Sequence, residues 1–149
     1  MQEQRKDSMY EEKVIQISRV SRTVKGGKRI SFRALVIVGD KNGKVAIGVG
    51  KAAEVAVGIR KAVTSAKKHF NEIKISQKGS IMREMMSDFG SAKVMLKPAP
   101  EGTSIIAGGV VRAVCELAGI RNLVAKSIGS NNKKNIAEAT IKGLLEAGS

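Results

Sequence analysis

A chain of 149 residues, 42% hydrophobic and 27% charged, has the apolar content of a globular protein and not that of a disordered one. Its 27 Lys and Arg against 13 Asp and Glu leave a formal charge of +14. A compact body so charged repels itself and condenses onto polyanions by releasing their counterions.

Nucleic acid is favoured over an anionic membrane, because no apolar run approaches the ~20 residues that span a bilayer and no acylation motif occurs. Met1 to Lys13 is charged and polar, with neither a signal peptide's apolar stretch nor a Ser/Arg-rich transit composition. The single cysteine, Cys115, excludes an internal disulfide and suits a reducing compartment. A basic, soluble, cytoplasmic protein without a membrane span is expected. Aromatics are only 3% with no Trp, so Val, Ile, Leu, Ala and Met must fill the core.

In chain order, residues 1–12 read as a flexible arm. Val14 to Val24 is β-branched and extended, and Lys25-Gly26-Gly27-Lys28 turns it into a second strand, Ile30 to Val38. Asp40-Lys41-Asn42-Gly43 closes the next hairpin, its Asn-Gly pair tolerating positive φ. Lys44 to Val49 alternates Val45, Ile47 and Val49 with Lys44, Ala46 and Gly48, and these small residues would admit another backbone. From Ala52 the period turns helical, through Val55, Ala56, Ile59, Ala62, Val63, Ala66 and Phe70.

Ile73 to Ile75 is a candidate short strand, and Ser76 to Ser80 reads as the seam between halves. Ile81 to Met86 and Ala92 to Leu96 are strand candidates, followed by a rigid loop with Pro98 and Pro100. Ala107 to Ala118 reads as an apolar helix ended by Gly119, Leu123 to Ile128 as a strand, and Lys134 to Ala147 as a final helix. The expected fold class is α+β: a three-stranded antiparallel sheet with one helix over residues 13–75, then a β-β-α-β-α domain over 76–149.

Charge separates the halves. Residues 1–75 carry 17 basic and 7 acidic residues, whereas 76–149 carry 10 and 6. Between Arg19 and Lys51 nine cations face Asp40 alone. A solvated basic face would explain the Arg60, Lys61, Lys67 and Lys68 helix by itself, but the hairpins and helix together point to nucleic acid. Few aromatics are free for base stacking, and no helix-turn-helix, zinc-finger or basic-zipper pattern occurs, so a double-stranded-RNA-like module that reads shape and phosphates fits better. Arg19, Arg22, Lys25, Lys28 and Arg29 are the expected phosphate contacts of the first hairpin. Lys44 and Lys51 would support them from the sheet edge and helix start, with Arg60 and Lys61 beyond. Gly26 and Gly27 would let the loop backbone approach RNA.

Catalytic chemistry is sparse. His69 stands beside Lys67 and Lys68 without an acid partner, and Cys115 falls on an apolar helix face, where a small core residue is the simpler reading than a nucleophile. One Cys and one His make no zinc site. Gly48-Val49-Gly50-Lys51 lacks the spacing and hydroxyl of a phosphate loop. The run Glu101 to Gly109, with its glycines and hydroxyls before a helix, could hold an anion. A small-molecule kinase would use such a loop, yet it would need carboxylates for magnesium. Met82, Met85 and Met86 suit a core or a protein contact. No cofactor is expected, and a free-standing double-stranded-RNA regulator is the rival from the binding class.

Two sets of motifs go further. Val20-Ser21-Arg22-Thr23-Val24-Lys25-Gly26-Gly27, Phe32-Arg33-Ala34-Leu35 and Val38 to Gly43 closely resemble the N-terminal domain of the bacterial-type small-subunit ribosomal protein S-five family. Leu96 to Thr103, Ile105 to Gly109, Ala125 to Asn131 and Ala139 to Leu144 resemble its second domain, in order. The likeness runs from about Glu12 to Leu145. It implies a double-stranded-RNA-binding-like first domain and a second domain of a kind shared with some small-molecule kinases. It further implies binding to small-subunit ribosomal RNA, contact with ribosomal proteins four and eight, and a place near the messenger entry path. The loop from Arg22 to Arg29 would approach RNA near the decoding region, where spectinomycin binds, and decoding accuracy would be affected. The chain departs from the family at Ile47, where an aromatic is frequent, at Met82-Arg83, where a Pro-His pair is, and at Lys133, where a proline is. It also stops soon after the last helix, so a C-terminal extension found in relatives is expected to be missing.

Overall fold

The computed structural model describes residues 10–129 and 131–148, so the arm expected at residues 1–12 lies outside it up to Met9. Among the described residues, two four-stranded sheets hold three helices. The first sheet runs in the order β1 (Glu11–Val24), β2 (Gly27–Gly39), β3 (Lys44–Ala52) and β4 (Asn71–Glu72), all antiparallel, with α1 (Val55–Lys67) on one face. The second contains β5 (Met85–Phe89), β6 (Ala92–Pro98), β7 (Ile105–Ile106) and β8 (Leu123–Gly129), ordered β5-β6-β8-β7. α2 (Gly109–Ala118) and α3 (Lys133–Ala147) complete the chain.

The α+β class and the element order agree with the sequence reading, with local differences. The first sheet has four strands and not three, because Asn71–Glu72 adds two residues to β3. Ile73, expected in that strand, is instead buried in the larger core. Glu11 and Glu12 belong to β1, and Tyr10 stacks on Phe70 with ring centroids 4.7 Å apart. β5 starts at Met85, leaving Ile81 as a buried anchor outside any strand. The short β7 pairs in parallel with β8 and was invisible in a two-residue apolar step.

Both faces of the first sheet are covered, and residue size decides by what. Ala34, Val36, Val38 and Ala46 pack with Ala62, Val63 and Ala66 of α1. A Cβ on Gly48 would collide with the Ala62 carbonyl, and one on Gly50 with the Gly58 carbonyl. The expectation that the small residues of β3 admit a backbone is met by α1. The opposite face gives Ile37 and Val45 to the larger core, where they join Val94, Leu96, Val114, Leu117, Leu123 and Leu144, with Ile15 and Ile47 packed alongside. One core therefore crosses from one sheet to the other, each fully buried aliphatic contributing on the order of 2 kcal/mol.

The crossing is hydrogen-bonded. The Ser76 amide donates to the Ser80 carbonyl at 2.7 Å, and the Gly79 carbonyl accepts from Arg121 and Asn122 at 2.7 and 2.9 Å. Asn122, 4% exposed, accepts from the amides of Gly102 and Ser104 through Oδ1 and donates to the Lys78 carbonyl at 2.7 Å. It holds Ser104 at φ 68°, a left-handed conformation rare outside glycine.

Gly48→Ala is expected to lower the unfolding free energy by about 2–3 kcal/mol through overpacking against α1. Gly109→Ala, which meets nothing within 4 Å, should leave it unchanged or slightly raised. Urea midpoints of the two variants check both. Burial, and secondarily the Glu116 charge, push the Cys115 thiol from 9.0 up to about 12. The folded chain then keeps a proton that the unfolded chain releases, so this contribution is whole below pH 9 and is lost as pH rises toward 12. At pH 8, below both values, a thiol reagent should label native Cys115 only as fast as the chain unfolds, which a labelling time course in native buffer and in urea measures.

Candidate nucleic-acid interface

The β1–β2 hairpin outruns its sheet. β3 pairs with β2 only as far as Phe32 opposite Ala52, while β1 and β2 stay paired to Val24 opposite Gly27. Five paired rows thus project as a two-stranded ribbon about 16 Å long. Every residue from Ser21 to Ile30 is exposed. Lys25 and Gly26 form its tip, and Gly26 has φ 103°, a value that favours glycine.

The register sorts the cations by face. Arg22 lies directly opposite Arg29, and four rows nearer the sheet Ser18 lies opposite Arg33, which in turn lies opposite Lys51. Arg19 and Lys28, opposite Phe32 and Thr23, occupy the other face. No acidic residue occurs between Lys13 and Gly39. Like charges set directly opposite destabilise a strand pair. The Arg22–Arg29 pair is tolerated at a solvated ribbon and becomes favourable when a polyanion lies across it.

The structure brings most of the expected residues together and leaves one apart. Arg22, Lys25, Gly26, Gly27, Lys28 and Arg29 all lie on the ribbon, and Arg19, opposite Phe32, stands in the row at its root. Lys51 stands at its base, and the Lys61 ammonium donates to the Lys51 carbonyl at 3.5 Å, joining helix to sheet. Arg60 and Lys61 share an open groove on α1 with Thr64 and Lys68. Lys44 is at the far end of β3, about 23 Å from Lys51, half-buried and opposite Glu72. Arg33 was absent from the expected contacts, although its cross-strand position beside Lys51 places it in the basic row. A register drawn from the two turns would have found it.

The kinase-like loop is spoken for. The Gly102 and Ser104 amides, which an anion would need, are taken by Asn122, and Thr103 donates to the Pro100 carbonyl. Among the described residues no cluster of three His, Cys, Asp or Glu side chains is placed to hold a metal ion, and no helix is long and apolar enough to cross a membrane. His69 is exposed and Cys115 fully buried.

Comparison with known proteins agrees with this geometry. Residues 10–74 match the family model described as Ribosomal protein S5, N-terminal domain, and residues 87–149 that described as Ribosomal protein S5, C-terminal domain. A protein of Thermotoga neapolitana named small ribosomal subunit protein uS5 is 53% identical over 137 residues, covering 92% of this chain and 76% of its own length. Proteins of the same name from Acaryochloris marina and Ureaplasma urealyticum are each 51% identical over 139 residues, 93% of this chain and 78% and 68% of theirs. With both of its sheets matched by the paired domain models and half of its residues shared with these relatives, the chain belongs to the ribosomal protein S5 family.

Proposed function

We propose that the chain is a structural constituent of the small ribosomal subunit, working in the cytoplasm, which binds small-subunit ribosomal RNA and contributes to translation and decoding accuracy without a catalytic step. The observation that carries this reading is the acid-free ribbon, which projects four cations, with Arg19 at its root, from a two-sheet body in a member of a ribosomal family. Arg19, Arg22, Lys25, Lys28 and Arg29 contact phosphates, Gly26 and Gly27 let the tip backbone lie close to RNA, and Lys51, Arg60 and Lys61 continue the contact at the base. Lys44, so far along the sheet, meets a separate stretch of RNA. The pairing of Tyr10 with Phe70 supports recognition through shape and phosphates, since it removes two of the few rings on which bases would stack.

The finer placement follows from family resemblance. Residues 13–75 act as the double-stranded-RNA-binding-like domain and 76–149 as the second domain. Ribosomal proteins four and eight are the neighbours, the messenger entry path lies nearby, and the tip from Arg22 to Arg29 points to RNA around the decoding region.

Neutralising Lys25, Lys28 and Arg29 together should weaken binding to small-subunit ribosomal RNA and flatten the log–log salt dependence by roughly 2–3 units. An unchanged slope in a filter-binding titration would take the ribbon out of the interface. In particles washed at high salt and separated on a sucrose gradient, mass spectrometry should find the chain stoichiometric in the small-subunit peak. Recovery mainly in the light fractions would place it outside the ribosome.

A further inference from the structure

A cleft of about 280 Å³ lies between the first sheet and the start of α3, lined by Gln16, Ser18, Arg33 and Leu35 on one wall and by Asn131, Asn132, Lys133 and Lys134 on the other. Three of these eight residues are cations and none is an acid. Among the described residues, none of the three has a carboxylate partner. Lys133 and Lys134 open a helix whose first turn holds no acidic residue. Cations at that end oppose the helix dipole, so the pair is unfavourable for the isolated fold. The backbone there does not supply the attraction, because Asn132 Oδ1 already takes the Lys134 and Asn135 amides at 3.1 and 3.3 Å. The side chains do.

The cleft is also in line with the ribbon. Ser18 and Arg33 share a face with Arg22 and Arg29, four residues along each strand, or about 13 Å. One RNA strand lying along that face would pass from the ribbon into the cleft. The cleft has room for a phosphate with part of its hydration.

We propose that this cleft is a second phosphate subsite, in which Arg33 from the first sheet and Lys133 and Lys134 from α3 grip one stretch of RNA backbone between the two halves of the molecule. The proposal rests on the ribosomal-RNA reading of the ribbon and extends it across the seam. RNA so held ties the second sheet's helix to the first sheet, and the two lysines are stabilised only when it is bound.

The test compares full-length variants in salt titrations against small-subunit ribosomal RNA, from about 50 to about 200 mM. Lys133→Gln with Lys134→Gln, and Arg33→Gln, should each weaken binding and flatten the slope by about one unit. Combined, they should lose less than the sum of their separate effects, because they serve one site. Lys74→Gln with Lys78→Gln removes equal charge elsewhere and should leave the wild-type slope. The lysine pair should melt no lower than wild type, since its removal relieves the helix dipole, so lost affinity would not reflect unfolding.

Wild-type slopes in the cleft variants, with the Lys25, Lys28 and Arg29 variant still flattened, would overturn the subsite and spare the ribbon. Wild-type slopes in both sets would overturn the RNA reading and this inference with it. Equal flattening by the Lys74 and Lys78 control would mean general charge and no site. A melting temperature raised by inorganic phosphate over chloride at equal ionic strength, dependent on Lys133 and Lys134 but without any change in RNA binding, would make the cleft a free-anion site and overturn the RNA assignment.

Discussion

The Lys41 and Gly43 amides donate to the Leu117 and Ala118 carbonyls at 2.9 and 2.8 Å, so the β2–β3 turn is bonded to the last turn of α2. Side chains are kept out of the way: a Cβ on Gly39 would strike the Leu117 carbonyl, and one on Gly119 the Lys41 carbonyl. Asp40 holds the turn itself, its Oδ1 accepting the Asn42 and Lys44 amides at 2.8 and 3.0 Å. This backbone-to-backbone clamp sets the distance between the halves. Ile37, Val45 and Ile47 can then face the second sheet's core only in one register, since a slip of one residue would turn the apolar set of β2 around.

Because β2 is clamped on one face by that core and on the other by α1, the free end of the same strand inherits its stiffness. The ribbon is the continuation of a strand whose residues from Ala34 to Gly39 are all buried. Its cations are presented from a rigid root, which reduces the ordering cost of binding compared with the same charges on a loose tail. Surface ion pairs do little to quench them, since the ion pair at Glu11 engages Lys41 at the opposite end of the sheet.

Much of this was legible in the sequence. Lys25-Gly26 and Asp40 to Gly43 mark both hairpins, and the small residues of β3 announce a close helix, because each is a local requirement with few chemical solutions. What stayed hidden depends on distant partners. Asn122 looks like an ordinary loop residue until Gly102, Ser104 and Lys78 surround it, and Ile73 is apolar in a strand-like run but is needed by a core assembled from residues far along the chain. The interface divides similarly. Composition located the ribbon's charges, but only strand register shows Lys44 parting from the others and Arg33 joining them. Lys133 stood out in sequence as a departure from a family proline, with no hint of the wall it would face.

The clamp between the β2–β3 turn and α2 also has a consequence in the order of synthesis. β1, β2, β3 and α1 leave a translating ribosome before the residues that cover their second face, and Leu117 follows Gly39 by about 80 residues, or about 4–16 s at ordinary elongation rates. During that interval Ile37, Val45 and Ile47 have no permanent cover, on strands already able to pair. A nascent chain held before α2 is free to dock would therefore be the form most prone to self-association, and a delay in that interval would be more hazardous than the same delay once the clamp has closed.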